Sequence, residues 1–260
     1  MTIENVTKVT QVAILVLDTP IPNISETHGD FGDNTQDLLV NYTNYTLAKY
    51  YLAGSNVEQL QQTYRDLEIG LREGYIAGLV LTGSRSDAFG PEPWIKLLDE
   101  FISNVVFPLD VAVVGICFGH QILCKNLGAK IGRNEIGWEV GTTEINLNTN
   151  LVKLFGASSL NLVEFHQDIV YELPRDCVSI GSSDLCDIQG ILSTNGKILT
   201  FQGHPEFTTT IALDLLLYKY QHGLLTTDQY EIAKHKTEST TNQGKLIGEI
   251  IAKFLVKKTI

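Results

Sequence analysis

The run Val111-Ala112-Val113-Val114-Gly115-Ile116-Cys117-Phe118-Gly119 decides the fold. An apolar segment of strand length, Val111 to Gly115, runs straight into Gly-x-Cys-x-Gly, and Phe118 to Leu127 then follow a helical pattern. This is the nucleophile-elbow pattern with Cys in place of Ser. The sharp strand-to-helix turn forces its central residue into a strained backbone conformation, and the flanking glycines remove the Cβ atoms that would clash. The side chain is then displayed at the end of a strand and at a helix N-terminus, where the partial positive charge favours anionic groups.

Outward from this turn, apolar runs of strand length alternate with amphipathic stretches. Gln11 to Leu17 and Ala77 to Thr82 read as buried strands. Val57 to Arg72 reads as a helix, with Leu60, Tyr64, Leu67 and Leu71 at three- and four-residue spacing. Pro91 and Pro93 open a helix filled by Trp94, Leu97, Leu98, Phe101 and Ile102. Asp37 to Tyr45 reads as a weaker helix. Shorter, more polar strands follow the elbow helix as far as Thr200–Gln202, and Thr208 to Gln221 and Lys245 to Lys257 read as C-terminal helices. Lys234 to Gly244, nearly all polar, reads as a tail segment. Alternation with fully apolar strands predicts an α/β fold, an open and mainly parallel sheet with helices on both faces. We expect one domain over 1–210 and a helical extension over 211–260 packed on it.

The chain has 260 residues, ordinary globular composition (43% hydrophobic, 19% charged) and a net charge of −11. Such an acidic balance disfavours nucleic acid and anionic lipid as partners. Val12 to Leu17 is too short to span a bilayer, and Met1 to Gln11 carry no basic cluster, so neither a membrane anchor nor a secretory leader is expected. Cys117, Cys124, Cys177 and Cys186 form neither a disulfide framework nor a Cys-x-x-Cys metal site. Without a leader, the Asn-x-Ser/Thr matches at Asn5, Asn23, Asn41 and Asn44 read as unused, and the expected compartment is the cytoplasm.

A thiol nucleophile needs a base. Phe201-Gln202-Gly203-His204-Pro205-Glu206 follows an apolar strand and offers an imidazole with a carboxylate two positions on, which point the same way in an extended segment. Cys117, His204 and Glu206 are therefore the candidate catalytic residues. An isolated His-Pro-Glu is more often a surface turn, and an isolated Cys more often a buried apolar residue; the elbow and the preceding strand weigh against both. Two oxyanion donors are expected: the amide of Phe118, and that of Gly83 at the end of the Ala77 strand, although Gly83 could equally be an ordinary turn glycine. Cys124, two turns along the elbow helix, reads as core. Arg85, Asp87, Arg133 and Glu139 are nearby candidates that read more simply as solvated loop charges.

The elbow with His120-Gln121, followed by Leu127-Gly128-Ala129-Lys130-Ile131-Gly132, resembles class I glutamine amidotransferases, and Gly203-His204-Pro205-Glu206 is similar to that family's second motif. The similarity runs from about Gln11 to about Thr210. It implies that Cys117 attacks a γ-glutamyl carbonyl, with His204 as general base and acid, Glu206 as its orienter, and Gly83 and Phe118 as oxyanion donors. It also implies that Gln121 holds the amino-acid end of the substrate, and that Phe165-His166-Gln167-Asp168 stands for the family's Ser-His-x-Asp segment. His166, Gln167 and Asp168 would then line the glutamine pocket, with Phe165 in the place of Ser. No metal or cofactor is implied.

Thr82-Gly83-Ser84 departs from the Gly-Gly-Pro usual in members with a synthetase partner. It looks more like the stand-alone branch, which includes γ-glutamyl peptidases acting on glutathione conjugates. The resemblance thus leaves three readings: an amidase releasing ammonia from glutamine, with or without a separate synthetase to receive it, a γ-glutamyl peptidase, or an inactive binding protein. An α/β-hydrolase fits the elbow but places its acid before the His, whereas Glu206 follows His204.

Overall fold

The computed structural model describes residues 11–19 and 21–257. The leader reading of Met1–Gln11 and the Asn5 motif fall almost wholly outside these residues.

The elements, in chain order, are β1 (Gln11–Val16), α1 (Pro22–His28), α2 (Phe31–Leu39), β2 (Thr46–Tyr51), α3 (Val57–Arg72), β3 (Ile76–Leu81) and α4 (Pro93–Phe101), the last running into a π-turn at Ile102–Val106. They continue with β4 (Ala112–Ile116), α5 (Phe118–Asn126), β5 (Ile131–Arg133), β6 (Glu139–Leu147), α6 (Val152–Phe155), β7 (Ser159–His166), β8 (Asp168–Val170), β9 (Cys177–Ser179) and β10 (Gly181–Ser182). The chain then forms β11 (Ile191–Ser193), β12 (Ile198–Phe201), α7 (Thr209–Gln221), α8 (Thr227–Ser239) and α9 (Gly244–Lys257).

The seven-stranded sheet has the order β2-β1-β3-β4-β12-β11-β9. Its first five strands are parallel, and β11 and β9 close it antiparallel. Both faces are covered, as the unbroken apolar strands require. On one face Ala13, Leu15, Leu79 and Leu81 pack with Leu60 and Leu67 of α3, Ile95 of α4 and Ile122 of α5. On the other, Val12, Val80, Val114 and Leu199 meet Leu39 of α2 and Ile247, Ile251 and Phe254 of α9.

Three regions differ from the sequence reading. Asp37 to Tyr45 is not a helix: α2 ends at Leu39, a turn follows, and β2 begins at Thr46. β2 is an edge strand whose residues are all intermediate or exposed, so it lacks the apolar run that marks β1 and β3. The polar segment from Lys234 belongs largely to α8, which opens with a capping box of Thr226 and Gln229 and buries only Ala233 and Thr237. Finally, β6 and β7 are long strands, nine and eight residues, paired antiparallel from Glu139↔His166 to Asn146↔Ser159. This hairpin, joined by β10, is a separate small sheet that stands beside the carboxyl ends of β4 and β12.

Candidate active site

Two adjacent parallel strands set the site. β4 and β12 pair with Phe201 opposite Ile116, and Cys117 N–H donates to the Phe201 carbonyl at 2.8 Å. The residues that leave these strands therefore emerge side by side, where open α/β sheets bind ligands.

Cys117 occupies φ 51°, ψ −103° as the N-cap of α5. That conformation is costly for a non-glycine residue and is held by its surroundings. A Cβ on Gly115 would sit 2.5 Å from the Gly119 backbone, and one on Gly119 would sit 2.4 Å from the Leu81 carbonyl oxygen. The two glycines thus let β3, β4 and the first turn of α5 approach closely enough to hold the bend. The amide of Phe118, first in α5, has no partner within its helix.

His204 is almost fully buried. Its Nδ1 lies 2.7 Å from Glu206 Oε1, and its ring stacks on Phe207 at 4.3 Å with an interplanar angle of 3°. Its backbone N–H donates to Val163 of β7 at 2.7 Å, which ties this segment to the hairpin. Burial opposes the charged imidazole, but Glu206 and the hydrogen-bonded Cys117 sulfur outweigh it and raise its pKa to about 10. Cys117 is thus brought into one cluster with the distant pair His204 and Glu206.

Gly83 closes this cluster. A Cβ there would lie 2.9 Å from His204 Cε1 and 3.7 Å from Cys117 Cβ. The Thr82 hydroxyl accepts from Leu17 N–H and donates to the Gly83 carbonyl, both at 3.0 Å, fixing the orientation of this strand end. Arg85 then anchors the loop: its backbone N–H and guanidinium engage both oxygens of the buried Asp18 at 2.8 to 3.0 Å. Arg85 is thus a structural tie rather than only a solvated charge.

The remaining candidates lie around a cavity of about 440 Å³ that opens on Cys117 and His204. That volume falls within the range of small-molecule sites. Gln121 lines it, but its amide nitrogen is committed to the Asp168 carbonyl at 2.9 Å and to Gln202 Oε1 at 3.1 Å. Gln167 and Asp168 line it with Arg133, whose guanidinium grips both Asp87 oxygens at 2.9 Å. Arg133 Nε lies 3.0 Å from Asp168 Oδ1. Burial, with the nearby Asp87 charge, raises the Asp168 pKa to about 6 despite Arg133.

His166 reaches the cavity wall while its Nε2 points away, 2.9 Å from Glu139 and 3.3 Å from Glu164. Burial opposes its charge, yet the two carboxylates raise its pKa to about 10. Glu139 also accepts from Ser183 at 2.6 Å and Gln189 at 2.9 Å, so it is a buried network member and not a loop charge. Glu139, His166 and Cys186 are the one group among the described residues with ligand atoms within 4.8 Å of one another. Their donor atoms, however, are turned on each other and on neighbouring protein groups. Phe165, standing where the resemblance expects Ser, packs edge-on against Phe207 at 6.1 Å and so supports the stacked His204 ring. His120 is fully buried, its Nδ1 2.7 Å from Thr200 Oγ1; burial lowers its pKa to about 3 and keeps it neutral.

Sequence reasoning missed Gln202, which directs Nε2 at Cys117 Sγ (3.6 Å) and accepts from Gln121. Pairing the ends of the two apolar strands would have placed it beside Cys117. It also missed Phe31, Phe207, Trp138 and Lys219, which come from segments with no local motif.

A family model for glutamine amidotransferase class-I matches residues 36–219. The chain belongs to this family. A Schizosaccharomyces pombe protein named for its likeness to glutamine amidotransferases is 33% identical over 250 residues, covering 95% of this chain and 98% of that one. Gamma-glutamyl peptidase 5 of Arabidopsis thaliana is 33% identical over 184 residues, covering 68% and 72%. A solved glutamine amidotransferase from Thermotoga maritima shares the fold, with a TM-score of 0.69 at 19% identity over 95% of this chain and 99% of that one. Among the described residues no helix is long and apolar enough to cross a membrane.

Proposed function

We propose that this chain is a cysteine amidase that hydrolyses γ-glutamyl amide bonds, glutamine among them, through a γ-glutamyl thioester on Cys117. The observation that carries the reading is the meeting of Cys117, His204 and the Gly83 strand end at the mouth of the 440 Å³ cavity.

The sulfur adds to the γ-carbonyl carbon, and the carbonyl oxygen takes the electron pair beside the Gly83 and Phe118 amides. In class I amidotransferase terms these are the oxyanion donors, each worth about 3 kcal/mol of barrier. His204, held protonated by Glu206 and the sulfur, gives its proton to the departing nitrogen as the C–N bond breaks. A water then attacks the thioester carbonyl; His204 takes its proton, the C–S bond breaks and glutamate leaves. Glu206 fixes the ring tautomer throughout. Gln202 Nε2 donates to the sulfur, and the Arg133–Asp168 pair offers opposite charges to the zwitterionic head of a γ-glutamyl group.

The stand-alone peptidase reading is favoured by one observation: polar groups line two walls of the cavity, more than a leaving ammonia requires. A reducing compartment suits the chain, since all four cysteines are free and Cys117 must stay unoxidised. An ammonia-accepting partner remains compatible with the glutamine reading.

The test is glutamate release from glutamine and from γ-glutamyl dipeptides by the wild type and Cys117→Ala, with mass spectrometry for a γ-glutamyl adduct on Cys117. Release that needs Cys117, with an adduct at that position, supports the reading. Release undiminished in Cys117→Ala, or none from any γ-glutamyl substrate, overturns it.

A further inference from the structure

Three Lys and Arg side chains line the cavity, and among the described residues two of them have carboxylate partners. Arg85 is tied to Asp18, and Arg133 to Asp87 and Asp168. Lys219, on α7, is half-buried and lies at the cavity wall with Nζ 4.1 Å above the Trp138 ring. Among the described residues, the charged groups that act on it are Cys117 and Arg85, and neither is a carboxylate. Burial lowers its pKa to about 8; Cys117 opposes that, and the like charge of Arg85 adds to it. A half-desolvated ammonium over an aromatic face, with no carboxylate beside it, carries an uncompensated desolvation cost. An incoming anion would relieve that cost.

The two walls differ in charge. The wall of Asp87, Arg133 and Asp168 offers both signs of charge, which suits the α-carboxylate and α-ammonium of a γ-glutamyl group. The Lys219 wall offers a cation alone. This inference rests on the γ-glutamyl amidase reading above and specifies its substrate. We infer that Lys219 is a specificity-determining residue that binds the C-terminal carboxylate of the leaving amino acid, selecting γ-glutamyl peptides with a free C-terminus over glutamine. Glutamine, whose leaving group is ammonia, has nothing to place against Lys219. A lysine suits this task as a flexible point charge that reaches leaving residues of different lengths.

The experiment compares kcat and KM for γ-glutamylglycine, its C-terminal amide, its α-carboxamide analogue and glutamine, in the wild type, Lys219→Met and Lys219→Arg. A charge-assisted contact predicts that the wild type prefers the free acid over the C-terminal amide by about ten- to a hundredfold in kcat/KM, mostly through KM. Lys219→Met should bring that ratio close to one, and Lys219→Arg should restore much of it. A wild-type ratio near one overturns the inference and needs no variant to fold. So does a ratio that survives in Lys219→Met, or a Lys219 dependence that follows the α-carboxylate instead. Turnover of glutamine without turnover of the peptide overturns this inference but leaves the amidase reading standing. Release from none of the four substrates overturns both.

Discussion

Replacing Gly83 by alanine tests the site by geometry alone. Gly83 has no positive-φ requirement, so the backbone accepts alanine without strain. The new methyl, however, would lie 2.9 Å from His204 Cε1, where carbon atoms prefer roughly 3.5–4.0 Å. The ring would have to retreat by about 0.6–1.1 Å. It has little room to do so: Phe207 stacks flat against it at 4.3 Å, Glu206 holds Nδ1 at 2.7 Å, and the backbone N–H is bonded to Val163. A misplacement of about 1 Å in a reacting group costs about a hundredfold in rate. The overpacking itself costs about 1–3 kcal/mol, which lowers Tm by several degrees for a chain of this size. We therefore expect Gly83→Ala to remain folded at 25 °C and to lose at least about a hundredfold in glutamate release. Gly54→Ala is the control, since a Cβ there meets nothing within 4 Å. The assay is glutamate release beside a thermal melt. Activity within threefold of wild type, or a loss fully accounted for by unfolding, would refute the argument that Gly83 abuts the working imidazole.

Other outcomes follow from the same contacts. His204 keeps its proton until about pH 10 because Glu206 and the Cys117 sulfur outweigh burial, so activity should fall on the alkaline side as pH rises through that value. Glu206→Gln removes the nearest anion, lowers the imidazole pKa and moves this fall to lower pH, with kcat reduced by about 10²–10⁴; an unmoved pH–rate profile would contradict it. Gly119→Ala drives a Cβ to 2.4 Å from the Leu81 carbonyl oxygen and should destabilise the fold by about 3 kcal/mol, read as a lower urea midpoint. His166→Gln leaves Glu139 and Glu164 facing each other without their cation, at about 3–5 kcal/mol. The raised pKa of His166 means that its contribution is complete below its unfolded value of 6.5 and is lost as pH rises through about 10. The stability gap between wild type and variant should accordingly narrow over that window in urea titrations.

What the sequence disclosed depended on how local each signal was. β1, β3 and β4 are buried on both faces, so their apolar runs stood out, and α3 was readable because it buries one stripe of side chains. β2 was invisible because an edge strand with Lys49, a half-buried Tyr50 and an exposed Tyr51 has no such run. α8 was hidden for a related reason, since it covers the hairpin with only two buried side chains. Within the site, Cys117, His204 and Glu206 sit at turns with strong local constraints and were legible. Gln202 and Phe207 stand in or beside the His204 motif, but their contacts with Cys117 and the His204 ring, like the place of Lys219, come from strand adjacency and helix packing. Gln121 and His166 were expected to bind substrate, and both line the cavity. Their hydrogen-bonding atoms are nevertheless engaged by protein partners, a commitment visible only in three dimensions.

The pairing of β4 with β12 also has a consequence for biosynthesis. The sulfur is translated 87 residues before the imidazole it will face. At about 5–20 residues per second, the ribosome leaves several seconds in which the nascent elbow has no base beside it. A chain cut short before Glu206 therefore carries an ordinary thiol, and competence arrives only when the fifth parallel strand docks. Truncated products should be chemically quiet toward γ-glutamyl metabolites.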